Sequence, residues 1–281
     1  MKDTGTRVRD LLRVGEGFRL EDVDPRATPG FEGGKSAGKR ALAQGAKPLT
    51  DLQERLFAEA RGGGERSLLL LIQGMDTSGK GGIMRHVMGA VDPQGVDLTA
   101  FKKPTEEELS HGFLWRVRKA LPRPGQIGVF DRSHYEDVLV ARVHHVVPEE
   151  VWRARYDEIN EFEAGVVAAG TPIVKVMLHI SADEQKKRLL RRLDRPDKYW
   201  KFDPADIDER EHWGEYQAAY QGALTHCSTQ VAPWYAVPAD RKWYARLAVH
   251  HLLVEALRDM DPKWPAADFD VDGERARLLA T

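Results

Sequence analysis

Cysteine is almost absent from this 281-residue chain, which has only Cys227. That excludes an intramolecular disulfide framework and a cysteine-built zinc site. No apolar run reaches membrane-spanning length, so no membrane partner is expected. Charge of one sign is also missing: the formal net charge is -2, which argues against general coating of nucleic acid but not against local patches. The first fifteen residues alternate acids and bases around Leu11-Leu12 and carry no secretory apolar core, so the expected location is cytoplasmic. Internal repeats and low-complexity tracts are missing too. What remains is 42% apolar and 31% charged residues, the composition of a soluble globular protein. At 31.7 kDa one enlarged domain is expected rather than two small ones.

The order of elements suggests an α/β fold. "SLLLLIQ" (67–73) is short and continuously apolar, as a strand covered on both faces should be. "GVDLTAF" (95–101), "GQIGVFDRS" (125–133), "TPIVKVMLHI" (171–180) and "PWYAVPA" (233–239) supply four more strands. Helices are expected between them: one opening at the Thr50 box, one from Thr105 to Pro122, and others over 148–169, 182–193, 207–224 and 241–259. Strand and helix alternation of this kind describes a parallel sheet with helices on both sides. Residues 1–47 read as an irregular arm, 48–260 as the domain and 261–281 as a tail. "GGKSAGKR" (33–40) has no strand before it and the wrong glycine spacing for a phosphate loop, so it reads as a basic tail.

"GMDTSGKGG" (74–82) follows the first strand and has the spacing of a phosphate-binding loop. Backbone N–H groups of such a loop converge on one anion, and the helix behind it adds partial positive charge. Lys80 is placed to reach phosphate oxygens, and Gly79, Gly81 and Gly82 keep the first turn clear. Gly81, however, stands where the usual motif has a Ser or Thr on magnesium. Any metal must then find its protein ligands elsewhere. Asp131 ends the third strand, where a Walker-B aspartate would lie, and Asp76 lies inside the loop. For Asp76 a second reading stands, an Asx turn that only shapes the backbone.

Between Lys186 and Lys201 the chain has eight Lys or Arg and two Asp. Arg188 and Arg192 share a helix face at i, i+4, and Lys198 and Lys201 follow Pro196. Guanidinium groups in a lid clamp a transferring phosphoryl, yet this strip is richer than one triphosphate requires. A solvated helix face is the plain alternative. Trp200 reads either as packing against a nucleotide or as holding a closed state. The histidines read as packing or surface residues, His144-His145 and His250-His251 without metal-ligand spacing, and for His134 a contact to phosphate is the second reading. Asp206 is a candidate for the nucleotide side of the cleft.

With "FDRSHYEDV" (130–138), "RLLRRLDRPDKYWKFDPADI" (188–207) and "APWYAVPADRKWYARL" (232–247) beside the loop, the chain resembles the second family of polyphosphate kinases over about 45–260. That resemblance implies a P-loop kinase fold like that of thymidylate kinase, a five-stranded parallel sheet between helices with a helical lid at about 186–206. It implies magnesium-dependent phosphoryl transfer between inorganic polyphosphate and AMP, ADP and ATP. Asp76 and Asp131 would bind the metal, Lys80 and Arg132 the phosphates, and Arg188, Arg192, Lys198 and Lys201 would belong to the lid. Members that mainly convert diphosphates commonly read Asn-Arg-Ser-Trp-Tyr-Asn in the second block. "DRSHYE" (131–136) departs from that and is similar to the class III members that phosphorylate both AMP and ADP. Glu136 is the expected handler of the monophosphate, or else a carboxylate stabilised at a helix start. A homo-oligomer, dimer or tetramer, is also implied. Two rivals remain at this point: an ATP-dependent nucleotide or small-molecule kinase, and a non-catalytic polyphosphate-binding module. Nucleic-acid binding would rest on the 186–201 strip alone, where aromatics are not interleaved as a stacking platform needs.

Overall fold

Five parallel strands form the central sheet of the computed structural model, which describes residues 7–281. They are β1 (Leu68–Gln73), β2 (Val96–Ala100), β3 (Ile127–Asp131), β4 (Ile173–His179) and β5 (Trp234–Pro238), in the order β2-β3-β1-β4-β5. β1, β4 and β5 are buried along their whole length, so their apolar runs are unbroken by the alternation of a half-exposed strand. β2 and β3 lie on one side of β1 and β4 and β5 on the other, so the connections wind in opposite senses on its two sides. The carboxyl end of β1, between those of β3 and β4, is therefore the switch point where ligands of open α/β sheets bind.

Around the sheet run α1 (Val8–Leu12), α2 (Lys35–Arg61), α3 (Lys80–His86), α4 (Glu106–Leu109), α5 (Trp115–Lys119), α6 (Val140–Val143) and α7 (Glu149–Ala168). They are followed by α8 (Ala182–Leu193), α9 (Ala205–Glu211), α10 (Trp213–His226), α11 (Lys242–Met260) and α12 (Val271–Leu279). Two expected caps are present: Ser181 Oγ accepts from Glu184 N at the start of α8, and Thr105 with Glu108 forms a full capping box at α4.

Four boundaries differ from the sequence expectation. The segment read as an irregular arm up to residue 47 holds most of the first half of α2, which starts at Lys35; residues 1–6 of that arm lie outside the described residues. Thr50 is therefore no cap: its hydroxyl donates to Ala46 O at 3.0 Å and Ala90 O at 2.7 Å from mid-helix. The glycines that suggested a loop are instead notches. A Cβ on Gly38 would run into the Trp243 ring and one on Gly45 into the His250 ring, so α2 can lie close against α11 only with glycine there. The expected helix over 105–121 is split into α4 and α5 around Gly112, and that over 207–224 into α9 and α10 at His212. The C-terminal tail contains α12.

Candidate active site

Gly74 leaves β1 at a φ of 153°, and a Cβ there would lie 2.7 Å from Ser78 Oγ and 2.8 Å from Leu178 O. Only glycine permits that turn. Gly79 repeats the positive φ at 122° just before α3. Lys80 Nζ folds back over the loop and donates to Gly74 O at 2.8 Å. Gly81 is exposed, and a Cβ on it would meet nothing within 4 Å. Packing therefore does not require the glycine that replaces the usual hydroxyl.

The other half of the site is the turn after β3. β1 and β3 pair with Ile72 opposite Asp131, which sets Asp131 beside the start of the loop. Arg132 follows in the left-handed region, φ 65°. Its Nη2 lies 3.2 Å from Asp76 Oδ1 and its Nη1 3.9 Å from Glu136 Oε2. Burial opposes the Arg132 charge, but Glu136 and Asp76 hold it above its ordinary pKa. Burial likewise pushes the Glu136 carboxyl upward, while Arg132 and Lys80 pull it back. A carboxyl poised in this way, next to a guanidinium and an ammonium, can exchange a proton or orient an anion.

These groups open onto a cavity of about 260 Å³. Asp76, Arg132 and Glu136 form its loop side, and Asp203, Asp206, Glu209, Tyr216 and Tyr220 line it opposite. Tyr216 OH donates to Glu209 Oε2 at 2.6 Å, and His144 Nε2 lies 3.0 Å from the same carboxylate. Asp206, expected on the nucleotide side, is in this wall. Burial and the Asp76 charge push its carboxyl up, against the pull of Arg192.

The basic strip divides into two parts. Arg188 is buried and all five of its N–H donors are taken. Nε donates to Glu184 at 2.8 Å, Nη1 to Thr77 O at 2.9 Å and Ser78 O at 2.8 Å, and Nη2 to Ala239 O at 2.6 Å and Asp240 O at 2.9 Å. The expectation of a lid arginine that touches the transferring group is corrected here: Arg188 fastens the phosphate loop to the end of β5. Arg192, one turn on, is partly buried and donates to Lys201 O at 2.7 Å and to Asp206 Oδ2 in the cavity wall at 2.9 Å. Lys198 pairs with Asp197 at 2.9 Å, and Lys201 stands 4.7 Å over the Trp200 ring. Trp200 itself is 77% exposed, so it is not a core residue. His134 is fully buried against Glu163, which agrees with its reading as a packing residue and leaves no contact to phosphate. His250 is buried too, its Nε2 2.8 Å from Gly45 O.

Reasoning from sequence missed a second cationic group on α11. Arg246 lies against the first turn of α3, where a Cβ on Gly82 would sit 3.3 Å from its Nη2. Its buried Nε has no hydrogen-bond partner among the described residues. Desolvation and then the Arg188 and Arg191 charges push the Lys242 ammonium down to about 8. The i, i+4 spacing of Lys242 and Arg246 was visible in "DRKWYARL" (240–247) but was overshadowed by the richer strip before it.

A glycine loop after a central parallel strand, an aspartate ending the neighbouring strand, and arginine and lysine converging on one cleft define a P-loop phosphotransferase. The family pattern described as Polyphosphate kinase 2 (PPK2) matches residues 33–265. The AMP/ADP-polyphosphate phosphotransferase of Meiothermus ruber is 47% identical over 248 residues, covering 88% of this chain and 91% of that one. The ADP-polyphosphate phosphotransferase of Rhodopseudomonas palustris is 42% identical over 272 residues, covering 90% and 91%. The crystal structure of Polyphosphate Kinase 2 from Arthrobacter aurescens TC1 superposes with a TM-score of 0.96 at 54% identity, covering 98% of both chains. This chain belongs to the polyphosphate kinase 2 family. Among the described residues no helix is long and apolar enough to cross a membrane.

Proposed function

We propose that the enzyme transfers phosphoryl groups reversibly between inorganic polyphosphate and nucleotides, raising AMP to ADP and ADP to ATP. The observation that carries this reading is Glu136. It faces the cleft cavity beside Arg132, in the "DRSHYE" turn (131–136) of a chain 47% identical to an AMP/ADP-polyphosphate phosphotransferase. Lys80 and the backbone N–H groups of 79–82 hold the terminal unit of the donor. Arg132 spans donor and acceptor and takes up charge as it spreads over the equatorial oxygens. Glu136 orients the acceptor phosphate or its proton. Arg192, Lys198 and Lys201 act from the mobile part of a lid over about 186–206, and Asp206 serves the nucleotide side. Arg246 and Lys242 offer further charge to a donor chain leaving the loop over Gly82.

Magnesium suits the residues present. Asp76 in the loop and Asp131 at the end of β3 are both close enough to act on Arg132, and one or two carboxylates are what an ion needs that keeps waters and takes phosphate oxygens. When bound, it would neutralise phosphate charge. The working unit in this reading is a homo-oligomer in the cytoplasm.

The test supplies long-chain polyphosphate and magnesium with AMP or ADP and resolves the nucleotides by ion-exchange chromatography. AMP is expected to yield ADP and then ATP. Product from ADP alone would remove the role given to Glu136, and transfer only from ATP would remove polyphosphate as the donor. Replacing Glu136 with glutamine is expected to lower turnover of AMP by about tenfold and of ADP by less. Lys242 adds a pH signature. Its charge is present below about 8 and lost above it, so KM for polyphosphate should rise about twofold to fivefold between roughly pH 7 and 9. Lys242→Arg should flatten that rise.

A further inference from the structure

Beneath the Arg132–Glu136 turn lies a set of charged groups that the transfer chemistry does not touch. Lys175 sits in the middle of β4, opposite Leu71 of β1 and Trp234 of β5. Its ammonium donates to Glu163 Oε2 at 2.5 Å, Cys227 O at 2.6 Å and the Tyr135 hydroxyl at 2.9 Å. Glu163, on α7, also accepts from Tyr135 OH at 3.0 Å and lies 3.1 Å from His134 Nε2. The Tyr135 ring packs edge-on against Trp234 at 4.6 Å between centroids. Lys175, Glu163, His134 and Tyr135 are all fully buried.

Such a set is a poor device for stability alone. Desolvating the charges offsets much of their attraction, and apolar side chains of equal volume would pack the same space. What it does supply is direction. Two consecutive turn residues are tied by their side chains to Glu163 on α7, and Tyr135 also to Lys175 on β4, which in turn holds the Cys227 carbonyl after α10. Ser133 adds a third tie, its Oγ accepting from Gln73 Nε2 at 3.1 Å and from Tyr135 N at 3.2 Å. Immediately before these anchors, Arg132 is held in a left-handed conformation, which a bulky residue keeps only where its surroundings over-determine it. Residues 134 and 135 point into the core, while Arg132 and Glu136 line the cleft.

We propose that Lys175, Glu163, His134 and Tyr135 form a buried positioning device that sets the turn presenting Arg132 and Glu136 to the transferring phosphoryl. This inference rests on the reading of those two residues as parts of the transfer site. Tyr135→Phe keeps the ring and removes one hydroxyl. It is expected to lower kcat with AMP about tenfold while KM for both substrates stays within about twofold. Placed in a Glu136→Gln or an Arg132→Lys background, the same change should cost less than about threefold in at least one of them, because the group it acts through is already altered. A Tyr135→Phe enzyme with unchanged kcat, or a factor that survives in full in both backgrounds, would overturn the proposal. The paired replacement Lys175→Met with Glu163→Leu is the second variant: it is expected to fold and to show the same kcat loss, and a folded pair with wild-type kcat would count against the device. If wild-type enzyme transferred only from ATP, polyphosphate would fall as donor, and the same cycle would be read with ATP.

Discussion

Replacing Lys80 with alanine is expected to lower kcat about a hundredfold to a thousandfold, the cost of removing one preorganised donor from a site where charge develops. Stability should hardly change, since Lys80 is only half-buried and its single bond to Gly74 O can pass to water. The loop itself would persist, because Gly74 and Gly79 supply its conformation and Arg188 ties its carbonyls. Conversion of AMP followed by chromatography, together with a thermal melt, checks both halves. A variant that melts like wild type and retains more than about a tenth of its kcat would remove Lys80 from the transition state.

Arg188 should behave in the opposite way. Arg188→Met leaves four backbone carbonyls and the Glu184 carboxylate without their donor. Loss of one partner from a buried, hydrogen-bonded charge costs about 3–5 kcal/mol. For a protein of this size that corresponds to a Tm lower by roughly 10 °C, measurable by calorimetry. Arg188→Lys should recover little, because one ammonium cannot occupy the fork that reaches both the loop and the end of β5. A fully stable Arg188→Met enzyme that is merely slow would restore the direct role read from the sequence.

The two arginines illustrate what sequence can carry. Arg188 and Arg192 stand at i, i+4 in one basic strip, and spacing alone makes them equivalent. Their difference arises from what lies opposite: the carbonyls of the loop and of β5 for the first, the Lys201 carbonyl and Asp206 for the second. Those contacts span up to 111 residues of chain, out of reach of any local pattern. The sheet was far more legible. Each expected strand falls within a residue or two of the observed one, since unbroken apolar runs bounded by turns have few other uses. The start of α2 was hidden because glycine signals a loop and a close helix contact alike, and only the presence of Trp243 and His250 separates the two. Lys175 did leave a trace, as a lone charge inside "TPIVKVMLHI" (171–180), where a strand covered on both faces must give it a partner.

The five bonds of Arg188 also determine how α8 can move. Its first two turns are riveted to the floor of the site, so the helix cannot swing from its amino end without tearing the loop apart. The backbone leaves the helix at the Asp194–Pro196 junction, so a lid of the kind proposed above would have to bend there, with the phosphate cradle left still.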